Sequence, residues 1–266
     1  MRDHLLVRHW QIVALLILVA VSLAAPLIAP YDPLSARNGD ELLPPSAQHW
    51  LGTDLIGRDV LSRTLYGGRQ TLLVAVLALL VAGIPGTLIG LLAGYLGGWV
   101  DRLTMALLDA LLSIPALLLA MSTLAISGRG LAQVALAAGF AALPGYARLV
   151  RANVLPVRSS LYLEATRALG ARPQYLLFRT LLPNVTLDLI GALTVVLGWT
   201  LLNAAALNYL GFGGDPGIPE WGAMLAEARQ VFRVAPWVAI APGTAIMLTL
   251  MLINALADSL IRPHSR

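Results

Sequence analysis

The chain has 266 residues, of which 58% are hydrophobic and 12% charged, with a mean hydropathy of +0.77, more apolar side chain than a soluble core of that size hides. Its net charge of +4 sets 18 basic residues, every one an arginine, against 14 acids; without lysine there is neither a P-loop lysine nor a Schiff base, so any nucleotide energy must be bound by another subunit. The absence of cysteine excludes disulfides and thiolate metal sites.

The first apolar run, residues 10–29, follows Arg2 and Arg8 and is long enough to span a bilayer. A signal anchor that stays in place is the reading preferred to a signal peptide cleaved near Ser22-Leu23-Ala24-Ala25. Residues 30–70 are polar, rich in Pro, Gly and Asp, and are expected outside. The second span, 71–96, carries Gly86, Gly90 and Gly94 four residues apart, a stripe against which another helix can pack, within the subunit or across an interface. A third span covers 103–126 with a kink expected at Pro115, and Ser127-Gly128-Arg129-Gly130 makes an external turn. The fourth span runs over 131–149, the fifth over 184–207 and the sixth over 234–257. Six spans place both termini and the tail 261–266 in the cytoplasm and make residues 71–260 the core.

The loop 150–183 and its approach hold six arginines (Arg148, Arg151, Arg158, Arg167, Arg172, Arg179) with one acid, Glu164, and the positive-inside rule places them in the cytoplasm. Ser159-Ser160 are placed to cap a short helix through Leu169, Gly170 suits the left-handed residue that ends it, and Arg172-Pro173 starts a second helix. Pro183 marks the start of the fifth span. Leu161, Leu169, Leu176, Leu177 and Leu181 exceed what a solvated loop needs, so this knuckle is expected to dock on protein. Residues 208–233 combine glycine-rich turn chemistry with helical spacing, and read either as a structured outer loop at the mouth or as a plain connector.

Intramembrane polar groups usually face a bundle interior or water, which makes Asp109, Asn203 and Asn254 candidates for a translocation path. Asp109 serves equally well as a packing residue through a hydrogen bond. Asp188 and Asp258, near span ends, read as interfacial. Enzyme signatures are missing: His4, His9, His49 and His264 are scattered, no serine sits in a hydrolase elbow, and Phe212-Gly213-Gly214-Asp215 is one glycine short of an intramembrane aspartyl protease motif. No metal site is expected. The basic pI lacks the interleaved aromatics of a nucleic-acid face, and anionic lipid accounts for it.

Glu164-Ala165-Thr166, Gly170, and Leu182-Pro183 at that spacing resemble the EAA signature of ABC importer permeases, with Thr166 where a second alanine is usual and Thr180 where isoleucine is common. His49-Trp50-Leu51-Gly52-Thr53-Asp54 with Gly57-Arg58-Asp59 and Ser62-Arg63 is similar to the dipeptide, oligopeptide and nickel branch. So are residues 144–151 and Leu210-Gly211-Phe212-Gly213. The resemblance implies an all-α type I importer permease of a bacterial or archaeal cytoplasmic membrane. Its partners would be a homologous second permease, two ATPase subunits that bind ATP and magnesium, and an external substrate-binding protein. Glu164, Ala165, Gly170, Leu182 and Pro183 would form the coupling site. The cargo would be peptide, with nickel or its chelate as the alternative; a passive channel or scaffold would explain the spans but not this loop.

Overall fold

A computed structural model describes residues 2–213, 215 and 217–261, without the side chains of 2–9 and 261. Gly214 and the expected tail beyond Ile261 lie outside the described residues. Among the described residues there is no β-strand, only an isolated bridge between Thr53 and Asp59. In lipid the backbone must satisfy its own hydrogen bonds, so the apolar runs become helices. They are α1 (Arg2–Leu23), α2 (Ala25–Ile28), α3 (Val60–Leu96), α4 (Gly98–Leu112), α5 (Ala116–Ser127), α6 (Leu131–Arg158), α7 (Leu161–Ala168), α8 (Pro173–Tyr175), a π-helical turn (Leu176–Leu181), α9 (Leu182–Tyr209), α10 (Trp221–Ala228) and α11 (Trp237–Ile261).

Four stretches are long and apolar enough to cross a membrane: α3, α6, Pro173–Tyr209 and Trp237–Leu260. The α4 and α5 pair makes a fifth, and the apolar part of α1, Trp10–Leu23, is shorter. Among the described residues, then, four helices, or five with the bent pair, meet that length and composition, and α1 enters the count only from Trp10.

The central contact is α3 against α6. Added Cβ atoms at Gly86, Gly90 and Gly94 would fall 2.7 Å from Tyr146 Cδ1, 2.4 Å from Ala147 O and 2.6 Å from Val154 Cγ1 respectively. At the other end Gly139 of α6 meets Ala78 O at 2.5 Å on the same construction. Partners therefore advance together along both helices, so α3 and α6 run in the same direction, and the chain between them must return the full length. That return is α4 plus α5, a crossing rather than a hairpin dipping in from one side.

The kink expected at Pro115 is a full break. Helix α4 stops at Leu112 and α5 restarts at Ala116 with a 91° bend, because proline offers no N–H and disfavours helical geometry in the residue before it. Helix α3 also begins at Val60, not residue 71. Asp59 accepts from the Ser62 amide and caps it, so the last eleven residues of the expected external segment are helical. Helix α6 runs on to Arg158, so the loop expected at 150–183 starts later, and Arg148, Arg151 and Arg158 are helical.

Pro183 stands in the first turn of α9, where the fifth span was expected to begin, and a π turn joins α9 to α8 in one stretch, Pro173–Tyr209. The preceding turn widens so that Leu182 N donates to Leu177 O, five residues back. A widened turn relieves the clash of a proline ring with the carbonyl four residues earlier, which explains the π geometry at this position. Helix α9 packs on α3, α6 and α11, and α1 closes the bundle against α3 and α11.

Candidate functional site

At the end of α6, the knuckle forms from local signals. Gly170 has φ +82 and its amide donates to Arg167 O at 3.0 Å, so the chain reverses after α7 through a conformation other residues resist. Arg172 precedes Pro173 in the first turn of α8. Ser160 sits at the N-cap of α7, but its Oγ donates to Val157 O at 2.6 Å instead of accepting from the helix. Leu163 points inward with Leu176, Leu177 and Leu181 and joins Val150, Val154 and Val185 in one core. Three of the five leucines read as a docking face are thus used up inside the chain. What remains outside is Leu161 and Leu169, at 83% and 88% exposure, beside Tyr162, Glu164, Ala165 and Arg167. The inner face of this short helix is thus anchored, and its outer face is apolar around Glu164 and Arg167.

The arginines near this end are partly spoken for. Arg151 Nη2 donates to Asp101 Oδ2 at 2.6 Å, and Arg158 Nη1 donates to Gly94 O at 3.2 Å, which pins α4 and α3 to α6. Arg148 pairs with Asp109, both about half exposed. Asp109, a candidate for the path, therefore meets a cation at the end of the expected fourth span. Asn203 donates to Trp199 O at 2.8 Å within its own helix, and Asn254 is exposed on α11 near Gly198. The structure does not bring Asp109, Asn203 and Asn254 into one cluster. Gly86, Gly90 and Gly94 lie against α6.

At the opposite end, the charged residues of 49–63 fold into a buried network. His49 Nδ1 meets Asp59 Oδ1 at 2.9 Å; Asp54 accepts from Arg58 Nε at 2.7 Å and from Arg63 Nη1. Glu227 of α10 accepts from Arg58 Nη2 at 2.8 Å and Arg63 Nη1 at 3.0 Å, so the segment before α3 is bolted to the loop before α11. The described residues of 208–233 therefore include a helix, α10, tied to the segment before α3 rather than a plain connector. Glu220 caps α10 by accepting from Ala223 N at 2.9 Å and receives Thr71 Oγ1 at 2.7 Å, while Trp221 Nε1 donates to Thr64 O at 2.8 Å.

Burial pushes the Glu220 carboxyl above the usual range, against the hydrogen bonds from Thr71 and Ala223 that lower it. Burial likewise raises Glu227 to about 7, opposed by Arg58. Between α10 and the end of α9 opens a cleft of about 280 Å³ lined by Asn208, Asp215, Glu220 and Glu227 with Leu131, Ile218, Ala223 and Ala226. The sequence reading passed over Asn208, Glu220 and Glu227. The available signal for Glu220 was its position one residue before the helical spacing that starts at Trp221. Among the described residues no group of His, Asp or Glu is placed to hold a metal ion.

The chain has relatives that match this architecture. Residues 86–265 match the family of binding-protein-dependent transport system inner membrane components. The glutathione transport system permease protein GsiD of Pectobacterium atrosepticum is 42% identical over 246 residues, covering 92% of this chain and 82% of that protein. GsiD of Escherichia coli O1:K1 / APEC is 42% identical over 260 residues, 97% and 85% of the two chains. Among solved structures, the inward-facing MetNI methionine ABC transporter aligns with a TM-score of 0.63 at 22% identity, covering 77% of this chain and 98% of that one, which shows a shared fold. The chain belongs to the binding-protein-dependent transport system inner membrane components and is the permease of an ABC importer.

Proposed function

We propose that this permease moves small peptides, with a tripeptide of the glutathione kind as the first cargo to test, and that it does so as one half of a pathway shared with a homologous second permease. Support for the cargo comes from relatives named for glutathione transport at 42% identity and from candidate path residues that are amides and one aspartate, donors and acceptors suited to peptide groups rather than to a bare metal ion. Nickel is not favoured. An external binding protein delivers the cargo, and two ATPase subunits holding ATP and magnesium supply the energy.

The observation that carries the coupling half of this reading is the outer face of α7, with Leu161, Tyr162, Glu164 and Leu169 exposed on a helix anchored by Leu163. In a groove of an ATPase that face is covered, Glu164 finds donors, and the Gly170 turn fixes the helix's aim. Ala165, Leu182 and Pro183 complete the site. Asp109, Asn203 and Asn254 are the groups offered to the path, with Asp109 held by Arg148.

Residues 1–29, with α1, anchor the N-terminus; residues 30–59 and the α10 loop face outward, and α7 faces the cytoplasm with both termini. The test is uptake into proteoliposomes carrying this permease, its second permease, the ATPases and the binding protein. Glutathione and dialanine are expected to accumulate with ATP and nickel chloride not to. Nickel accumulation without peptide accumulation overturns the cargo, and accumulation independent of ATP overturns the importer.

A further inference from the structure

The outer cleft has a floor with two unmet hydrogen-bonding groups. Asn208 is 2% exposed, and although it lies near enough to Glu220 to help hold that carboxyl down, neither its Oδ1 nor its Nδ2 has a partner at hydrogen-bond geometry. Buried amides are normally satisfied, so one left open beside a cavity marks where another molecule belongs. Glu220, also 2% exposed, presents a carboxylate that accepts from Thr71 Oγ1 on Oε1 and from Ala223 N on Oε2, with the Gly222 amide and the Asn208 side chain also close enough to hold it down. Glu227 presents the third group, braced from behind by Arg58 and Arg63. Asp215, whose Oδ1 accepts from Gly217 N at 2.7 Å, stands at the rim. None of the lining residues is an arginine, lysine or histidine.

With Glu227 already paired to Arg58 and Arg63, the open groups are acceptors of Asn208 and Glu220, and they call for an occupant rich in donors, which a cation supplies best. The acidic groups are not arranged to coordinate a metal ion, whereas an ammonium makes directed hydrogen bonds to acceptors spread around it and needs no coordination shell. Asn208 adds a second requirement, since its Nδ2 needs an acceptor next to the cation that satisfies Oδ1. A primary ammonium with a carbonyl or carboxylate oxygen on the adjacent carbon meets both, and that is the free amino end of a peptide. About 280 Å³ holds such an end and its first side chain, with Leu131, Ile218, Ala223 and Ala226 as the apolar wall.

We propose that this cleft binds the free amino terminus of the cargo, with Asn208 Oδ1, Glu220 and Glu227 taking the ammonium and Asn208 Nδ2 the neighbouring oxygen. The proposal rests on the peptide reading above for the identity of the molecule that carries the ammonium. It assigns this permease a recognition step of its own at the outer mouth, in addition to whatever the binding protein selects.

The test is equilibrium binding of radiolabelled L-alanyl-L-alanine to the assembled importer without binding protein. Saturable binding is expected, weakened at least tenfold when N-acetyl-L-alanyl-L-alanine replaces the probe and at least tenfold by Asn208→Leu in complexes recovered at wild-type yield. Asn208→Asp keeps the acceptor at Oδ1 but loses the Nδ2 donor, so its binding should fall less than that of Asn208→Leu. Equal affinity for the acetylated probe, displacement by sodium chloride but not by choline chloride, or binding by Asn208→Leu equal to wild type overturns the proposal. A wild-type complex that binds neither probe overturns it too, since water alone then fills the cleft. Peptide uptake without binding here sinks the cleft and leaves the cargo reading standing; binding here without peptide uptake sinks the cargo reading and leaves the cleft.

Discussion

Arg58 and Glu227 stand 169 positions apart in sequence, and their side chains meet at 2.8 Å between Nη2 and Oε2. With Asp54 and Arg63 they form a network of two carboxylates and two guanidiniums, three of them nearly fully buried. Removing one member of such a network leaves a buried charge uncompensated. Arg63→Ala is expected to destabilise the folded permease by about 3 to 5 kcal/mol, and the same substitution at exposed Arg129 should be nearly silent. Thermal unfolding in detergent checks both; equal melting temperatures for Arg63→Ala and wild type would show that the network contributes nothing.

Glu227 also gives the outer end a dependence on pH. Its carboxyl titrates near 7 in the fold against an ordinary value of 4.5, so between those values the folded state holds a proton that the unfolded chain has released. Stability attributable to this group is therefore present below about 4.5 and declines as pH rises toward 7. Glu227→Gln cannot titrate and should flatten that part of the profile. Unfolding midpoints measured from pH 5 to 8 decide it, and parallel profiles for the two proteins would refute the assignment.

Gly90 offers a cleaner packing test, because the added Cβ of an alanine would lie 2.4 Å from Ala147 O and 2.6 Å from Val150 Cβ. Backbone cannot yield as a flexible side chain does, so Gly90→Ala should cost about 1 to 3 kcal/mol through separation of α3 and α6. Gly145→Ala, which meets nothing within 4 Å, should cost nothing and serves as the control. The comparison is made on recovery of monodisperse protein, and equal recovery would mean that the helices are not held as closely as described.

The exposed knuckle calls for a functional readout. Glu164→Ala and Gly170→Val should both insert normally, since Glu164 is exposed and a Cβ at Gly170 meets nothing within 4 Å. Valine nevertheless opposes the φ of +82 there, so the aim of α7 shifts. Uptake and ATPase stimulation are expected to fall at least fivefold in each. Wild-type transport by both variants at equal expression would reduce α7 to a connector.

How far sequence reached follows from the range of the interactions concerned. The Gly170 turn and the Pro173 helix start are written in adjacent residues, and both were legible. The start of α3 was legible in principle through Asp59 and Ser62, yet the charges at Arg63 and Arg69 argued for a solvated segment. Arg63 is held by Asp54, nine positions before it, and by Glu227, 164 positions away, and no local pattern contains the second. The same holds for Asp109, whose partner Arg148 lies on a helix that continues past the expected boundary. Asn208 was passed over for Asn203 and Asn254 because its distinction is burial without a partner, a property only the folded chain has.

Helix α6 has a mechanical consequence. Its 28 residues extend about 42 Å, and Pro144 would ordinarily be a place to flex. Immediately beyond it, Tyr146, Ala147 and Val150 lie against Gly86 and Gly90 of α3, so the neighbouring helix acts as a splint over the weak joint. The pair then moves as a beam. A push that swings its inner end through about 5° carries the far end about 4 Å, which is the width of an extended chain. A modest displacement at one end of the pair is thus carried to the other with no helix having to unwind.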